Sequence, residues 1–131
     1  MKELLKELEN FGLPKDKFAI FGSGPMGIRG LRKVRDLDLV VMSEIWQELA
    51  KKYQVKKVKK GEKIFLSKNI EIRQRPNTKL NADKLIGQAD IFDGIRYVKL
   101  KNVIEYKEKL KRVKDLKDIE LIKKYLQKGG K

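Results

Sequence analysis

Phe18-Ala19-Ile20-Phe21-Gly22-Ser23-Gly24-Pro25, together with Arg35-Asp36-Leu37-Asp38-Leu39-Val40-Val41, is the part of the chain that the rest serves. Its first part is a short continuous apolar run that ends in a glycine turn, the pattern of a buried strand leading into a loop. Pro25 suits the first turn of a helix, where its missing N–H would have had no partner anyway. Gly22, Ser23 and Gly24 are therefore expected to present backbone N–H groups at a helix N-terminus, which attracts a phosphate. The second part predicts another strand. Period-two alternation puts Asp36 and Asp38 on one face and Leu37 and Leu39 on the other. Two adjacent carboxylates repel unless a cation lies between them. Mg²⁺ is the ordinary cation that takes carboxylate oxygens together with substrate phosphates.

Strand, Gly-Ser, short helix and then Asp-x-Asp opening the next strand is an order that resembles the signature of the nucleotidyltransferase superfamily, whose best-known fold is that of DNA polymerase beta. Gly22-Ser23 and Asp36-Leu37-Asp38-Leu39 match it, with residues 24 to 35 as the spacer. The run from Gly22 to Arg32 is similar to that of small stand-alone prokaryotic members. The segment Lys109 to Ile119 resembles the C-terminal helices of many such proteins, so the resemblance spans most of the chain.

The resemblance implies one α/β (α+β) domain over residues 1–131: a small mixed sheet covered by helices, with a C-terminal helical pair. It also implies transfer of a nucleoside monophosphate from a nucleoside triphosphate to a hydroxyl, with release of pyrophosphate. Asp36 and Asp38 would hold Mg²⁺ or Mn²⁺, and Gly22, Ser23 and Gly24 would position phosphates. The superfamily usually has a third acidic residue on a later strand. In Ile70-Glu71-Ile72-Arg73 the isoleucines point inward and Glu71 faces the other way, which makes it the best-placed residue for that role. Many members carry Asp there, so Glu71 is a departure, and a surface glutamate paired with Arg73 is its other reading. Arg29, Arg32 and Arg35 line the connection after the Gly-Ser turn. Arg offers a bidentate fork to a triphosphate, and a solvated basic loop is the alternative. The acceptor (RNA, protein or small molecule) is open, and a helical partner protein, as small members often have, is an expectation from the resemblance alone.

Composition narrows the chemistry. The 131 residues contain no Cys and no His. That excludes disulfides, a thiol nucleophile, imidazole metal ligands and a Ser-His-Asp arrangement. Any catalysis must therefore rest on carboxylates, Lys, Arg and metal. No apolar run is long enough for a membrane span and no signal-type h-region opens the chain, so a cytoplasmic protein is expected. The net charge of +15 suits a polyanionic partner, while Lys-rich surfaces are also a general habit of charged proteomes.

Periodicity supplies the remaining elements. Helices are expected over 2–11, with Leu4, Leu5, Leu8 and Phe11 on one face, and over 44–53, with Trp46 in the core. Val55 to Lys60 and Lys63 to Leu66 read as a hairpin with one basic strand. Its lysines are either an edge guard or a nucleic-acid contact, and that strand carries no interleaved aromatics. A turn is expected at Ala89–Phe92, a strand at 95–100 and a helix to about Arg112. Asp115 is read as the N-cap of a last helix with Asp118 in capping-box position, and Leu116, Ile119, Ile122 and Leu126 as its buried stripe. Helices are expected on one sheet face, leaving the Asp pair and the Gly-Ser loop on the open side. Two other functions fit the same residues: an inactive nucleotide-binding protein of this fold, and a basic nucleic-acid-binding module.

Overall fold

Every side chain of β1 (Phe18–Phe21) is buried, which is why the apolar run has no alternation. The computed structural model describes residues 1–131. In chain order the elements are α1 (Lys2–Glu9), β1, α2 (Gly24–Gly27), β2 (Leu37–Val41), α3 (Ser43–Lys52), β3 (Val55–Val58), β4 (Gly61–Ser67), β5 (Ile70–Arg73), α4 (Ala82–Gly87), β6 (Asp90–Phe92), β7 (Ile95–Tyr97), α5 (Leu100–Leu110) and α6 (Val113–Gln127). The strands form one sheet in the order β3-β4-β5-β2-β1-β7-β6. It is mixed: β1 runs antiparallel to β2, β5 pairs parallel with β2, and β7 pairs parallel with β1. No helix is long and apolar enough to cross a membrane.

Alternation along β1 and β2 sorts the core into two layers. Phe18, Ile20, Leu37, Leu39 and Val41 pack with Leu8 of α1 and with Ile45, Trp46 and Leu49 of α3. Ala19, Phe21 and Val40 face the other way, against Leu85 and Ile86 of α4, Val103 and Tyr106 of α5 and Ile122 of α6. Helices therefore cover both faces of the central strands, where one covered face was expected. The outer strands differ. Ile64, Leu66, Ile70 and Ile72 join the first layer, while Lys56, Phe65, Glu71 and Arg73 point to a face that the second layer of helices leaves open.

Four local expectations change. The strand expected over 95–100 ends at Tyr97, and Leu100 opens α5. Ala89–Phe92 contains the strand β6 rather than a turn alone, joined to β7 through Asp93 and Gly94, which have φ +50 and +79. That pair of left-handed residues is the two-residue hairpin turn for which Asp-Gly is suited. The last helix begins at Val113, so Arg112 rather than Asp115 is its N-cap. Leu116 and Leu126 are 58% and 40% exposed, and the buried side of α6 is instead Asp115, Asp118, Ile119 and Ile122.

Candidate functional site

Phe21, Asp38, Glu71 and Phe65 stand in one lateral row across β1, β2, β5 and β4, each opposite the next. A second row lies beside it on the same face: Ala19, Val40, Arg73, Lys63 and Lys56. Same-face residues in adjacent rows are two apart along each strand, so cations flank the carboxylates. Lys63 Nζ reaches Glu71 Oε2 at 3.0 Å. Arg73 lies over the ring of Tyr106, 5.8 Å from its centroid, and Tyr106 packs on Phe21 at 5.0 Å. The aromatic end of the second core layer thus forms one wall of the site.

Gly22 closes the row at the β1 end. Its φ of +63 favours glycine, and a Cβ there would overlap Asp38 Oδ2. The Gly-Ser turn and the second aspartate are accordingly in contact, and only a hydrogen at Gly22 permits it. Ser23 caps α2 without a side-chain capping bond, which leaves its hydroxyl uncommitted at the cleft. The helix is a single turn, so its dipole is small, and countercharge must come from side chains. Gly24 is placed otherwise: it is buried, and a Cβ there would meet Ile20 Cγ2, so it serves close helix–strand packing.

Burial and the neighbouring Glu71, through a shared hydrogen bond and like charge, push the Asp38 carboxyl up to about 7. Burial acts on Glu71 in the same sense, but a proton shared with Asp38 and the Lys63 ammonium beside it outweigh burial and hold that carboxyl below the ordinary glutamate range. The Lys63 contact lacks hydrogen-bond geometry at Oε2: with both carboxylates ionised, that buried oxygen has no donor. Either a proton on Asp38 or a cation between the two groups satisfies it.

These groups open onto a cleft of about 710 Å³. Arg32, Lys33 and Arg35 from the connection after α2, Arg73 from β5, and Lys107, Arg112 and Lys114 from the C-terminal helices line it beside Asp36, Asp38 and Glu71. Lys107 and Arg112, with Arg32, are tied in place by the two buried aspartates of α6. Asp118 Oδ2 accepts from Arg32 at 2.5 Å and from Lys107 at 2.9 Å. Asp115 accepts from the Arg112 side chain at 2.7 Å and from its backbone N–H at 3.1 Å, closing a capping box. Burial tends to raise the Asp115 carboxyl, but these bonds and the nearby Lys107 hold it below its ordinary value.

Sequence reasoning placed Gly22, Ser23, Arg32, Asp36, Asp38 and Glu71 at one site, and the fold brings all six to this cleft. It does not bring Arg29. That side chain is 2% exposed and donates to Asp90 Oδ2 at 2.9 Å, to the Pro25 carbonyl at 2.7 Å and to the Lys131 carbonyl at 3.0 Å, with its guanidinium 4.9 Å from the Phe92 ring centroid. Arg29 pins the α2 turn to β6. Arg73, Tyr106, Lys107 and Arg112 lie outside the sequence-predicted set; the i, i+3 spacing of Arg112 and Asp115 is the one local signal that points to a member of this group.

The carboxylate oxygens of Asp36, Asp38 and Glu71 are the hard donor set that Mg²⁺ or Mn²⁺ takes. The buried Glu71 oxygen without a donor, side by side with Asp38, fits such an ion. As the side chains stand, no three acidic groups converge into a ligand set: Glu71 is turned to Lys63, and exposed Asp36 precedes β2. Comparison of the chain with protein-family models, curated proteins and solved structures finds no match.

Proposed function

We propose that this protein is a nucleotidyltransferase of the DNA polymerase beta-like type, moving a nucleoside monophosphate from a nucleoside triphosphate to a hydroxyl. The observation that carries the reading is the contact of Gly22 with Asp38, which puts a glycine turn suited to phosphates directly against the Asp38–Glu71 pair. In this reading the Ser23 hydroxyl and Arg32 bind the outgoing phosphates, and Lys107 and Arg112 offset the charge that shifts to them. Asp38, Glu71 and Asp36 would hold Mg²⁺, which supplies charge neutralisation at the transferring phosphate. The acceptor oxygen attacks the α-phosphorus, its proton passes to the Asp38–Glu71 carboxylate pair, and the bond to the pyrophosphate oxygen breaks. The Tyr106 and Phe21 rings keep water from that side of the carboxylates.

The ion pair between Lys63 and Glu71 supports a second reading, a nucleotide binder without transfer, because an ammonium stands where the third carboxylate would meet metal. One experiment tests both. Each ribonucleoside triphosphate is added with and without Mg²⁺, recording the melting temperature and label transfer to lysate acceptors, with Asp38→Asn alongside. Mg²⁺-dependent stabilisation plus transfer that is lost in the folded variant supports the enzyme. Stabilisation without transfer supports the binder, and neither response removes both readings.

A further inference from the structure

We propose that the open face of β3, β4 and β5 binds single-stranded nucleic acid, with a base stacked on Phe65 and phosphates held by Lys56, Lys63 and Arg73. Phe65 is a large apolar side chain left 38% exposed at the centre of a basic surface. The ammonium groups of Lys56 and Lys63 each lie 5.0 Å from its ring centroid. The lysines of β3 have no aromatic on their own strand; the antiparallel β3–β4 register supplies one from the neighbour, with Lys56 opposite Lys63 and Phe65 two residues further along β4. An aromatic platform with cations on its flank is what a polynucleotide without base readout requires, since every base offers a π-face and every linkage a phosphate. An acidic protein would match the charge equally but has no need of the exposed ring.

The placement of this surface relative to the cleft deepens the transfer reading, on which the following role rests. Phe65 stands opposite Glu71 in the same row as Asp38, on the side away from Gly22 and Ser23. Strands are spaced about 4.8 Å apart, so Phe65 is about 10 Å from Asp38. A strand end lying on Phe65 therefore meets the carboxylates from the side opposite the triphosphate. The acceptor is then a hydroxyl of the bound polynucleotide.

The test is fluorescence anisotropy with labelled single-stranded RNA and DNA oligonucleotides, a duplex of the same sequence and heparin, without nucleotide or Mg²⁺. Lys56 and Lys57 are adjacent exposed residues on opposite faces of β3, so Lys57→Ala is the matched control for Lys56→Ala. The expected result is preference for either single strand over duplex and heparin. Phe65→Ala and Phe65→Leu should weaken binding about tenfold or more. Lys56→Ala should lower the salt slope by about 0.7, with Lys57→Ala close to wild type. Phe65→Leu keeps apolar bulk, so a loss it shares with Phe65→Ala is not a folding defect. Absence of binding, equal binding of duplex or heparin, indifference to Phe65, or equal losses in the two lysine variants would each overturn the proposal. Because no triphosphate is present, these outcomes are independent of whether the chain transfers nucleotides.

Discussion

Asp38 and Glu71 face each other across the parallel β2–β5 ladder, and the pair is arranged to keep one proton near neutral pH. The Asp38 carboxyl, ordinarily near 3.8, is pushed to about 7 by burial and by Glu71. The folded protein thus binds a proton more tightly than the unfolded chain, so this group's contribution to stability is full below about pH 4 and is lost as pH rises through about 7. Glu71 works in the opposite sense, but only below its ordinary value of 4.5. With no His or Cys in the chain, thermal stability without metal should fall between pH 5 and pH 8. Asp38→Asn should flatten that profile, and Mg²⁺ should restore stability at pH 8 more than at pH 5, since it binds the deprotonated pair. Melting curves at several pH values check all three.

Gly22 and Gly30 separate two costs. Both have positive φ, +63 and +74, yet a Cβ at Gly30 meets nothing within 4 Å while one at Gly22 overlaps Asp38. Gly30→Ala should cost about 1 kcal/mol for the left-handed backbone. Gly22→Ala should cost clearly more, and the excess should shrink when Asp38 is also replaced by Ala. Denaturant titration of Gly30→Ala, and of wild type, Gly22→Ala, Asp38→Ala and the double variant as a double-mutant cycle, measures this.

The Asp118 carboxylate holds Arg32 and Lys107, and the Lys107 side chain is only 6% exposed. Asp118→Ala should destabilise by about 3 kcal/mol, because it leaves a buried ammonium with only the more distant Asp115, 3.6 Å away. Glu120→Gln, which breaks an exposed pair with Lys124 on the same helix, should change little. Urea unfolding of the two variants provides the comparison.

Lys63 competes for Glu71. Removing it by Lys63→Ala leaves the carboxylate without its 3.0 Å cation and should tighten Mg²⁺ binding, measured by calorimetry, while weakening oligonucleotide binding. Lys56→Ala, which has no ion pair with Glu71, should leave Mg²⁺ affinity unchanged.

Much of the site was legible from local rules, and the exceptions follow one pattern. The two strands, the glycine turn and the common face of Asp38 and Val40 come from periodicity and turn chemistry, which act over a few residues. So does the outward face of Glu71 between Ile70 and Ile72. Which strands become neighbours is not local. Parallel pairing of β2 with β5 sets Glu71 against Asp38, and pairing of β3 with β4 brings Phe65 among lysines. Asp115 and Asp118 had good local reasons to be surface caps; they are buried because α6 packs its Asp115, Asp118, Ile119 and Ile122 side inward, where Arg32, Lys107 and Arg112 compensate them. Arg29 is drawn from the cleft by Asp90, a residue far away in the chain. Local pattern was enough for the central strands, their faces and the acidic residues of the cleft, because those depend on backbone geometry repeated every two residues; β6, which reads as a turn, and Gly24, a packing glycine, lay beyond it. Which charges meet is set by packing: burying both faces of β1 and β2 selects the strand order and helix faces, and the ion pairs form where that leaves them.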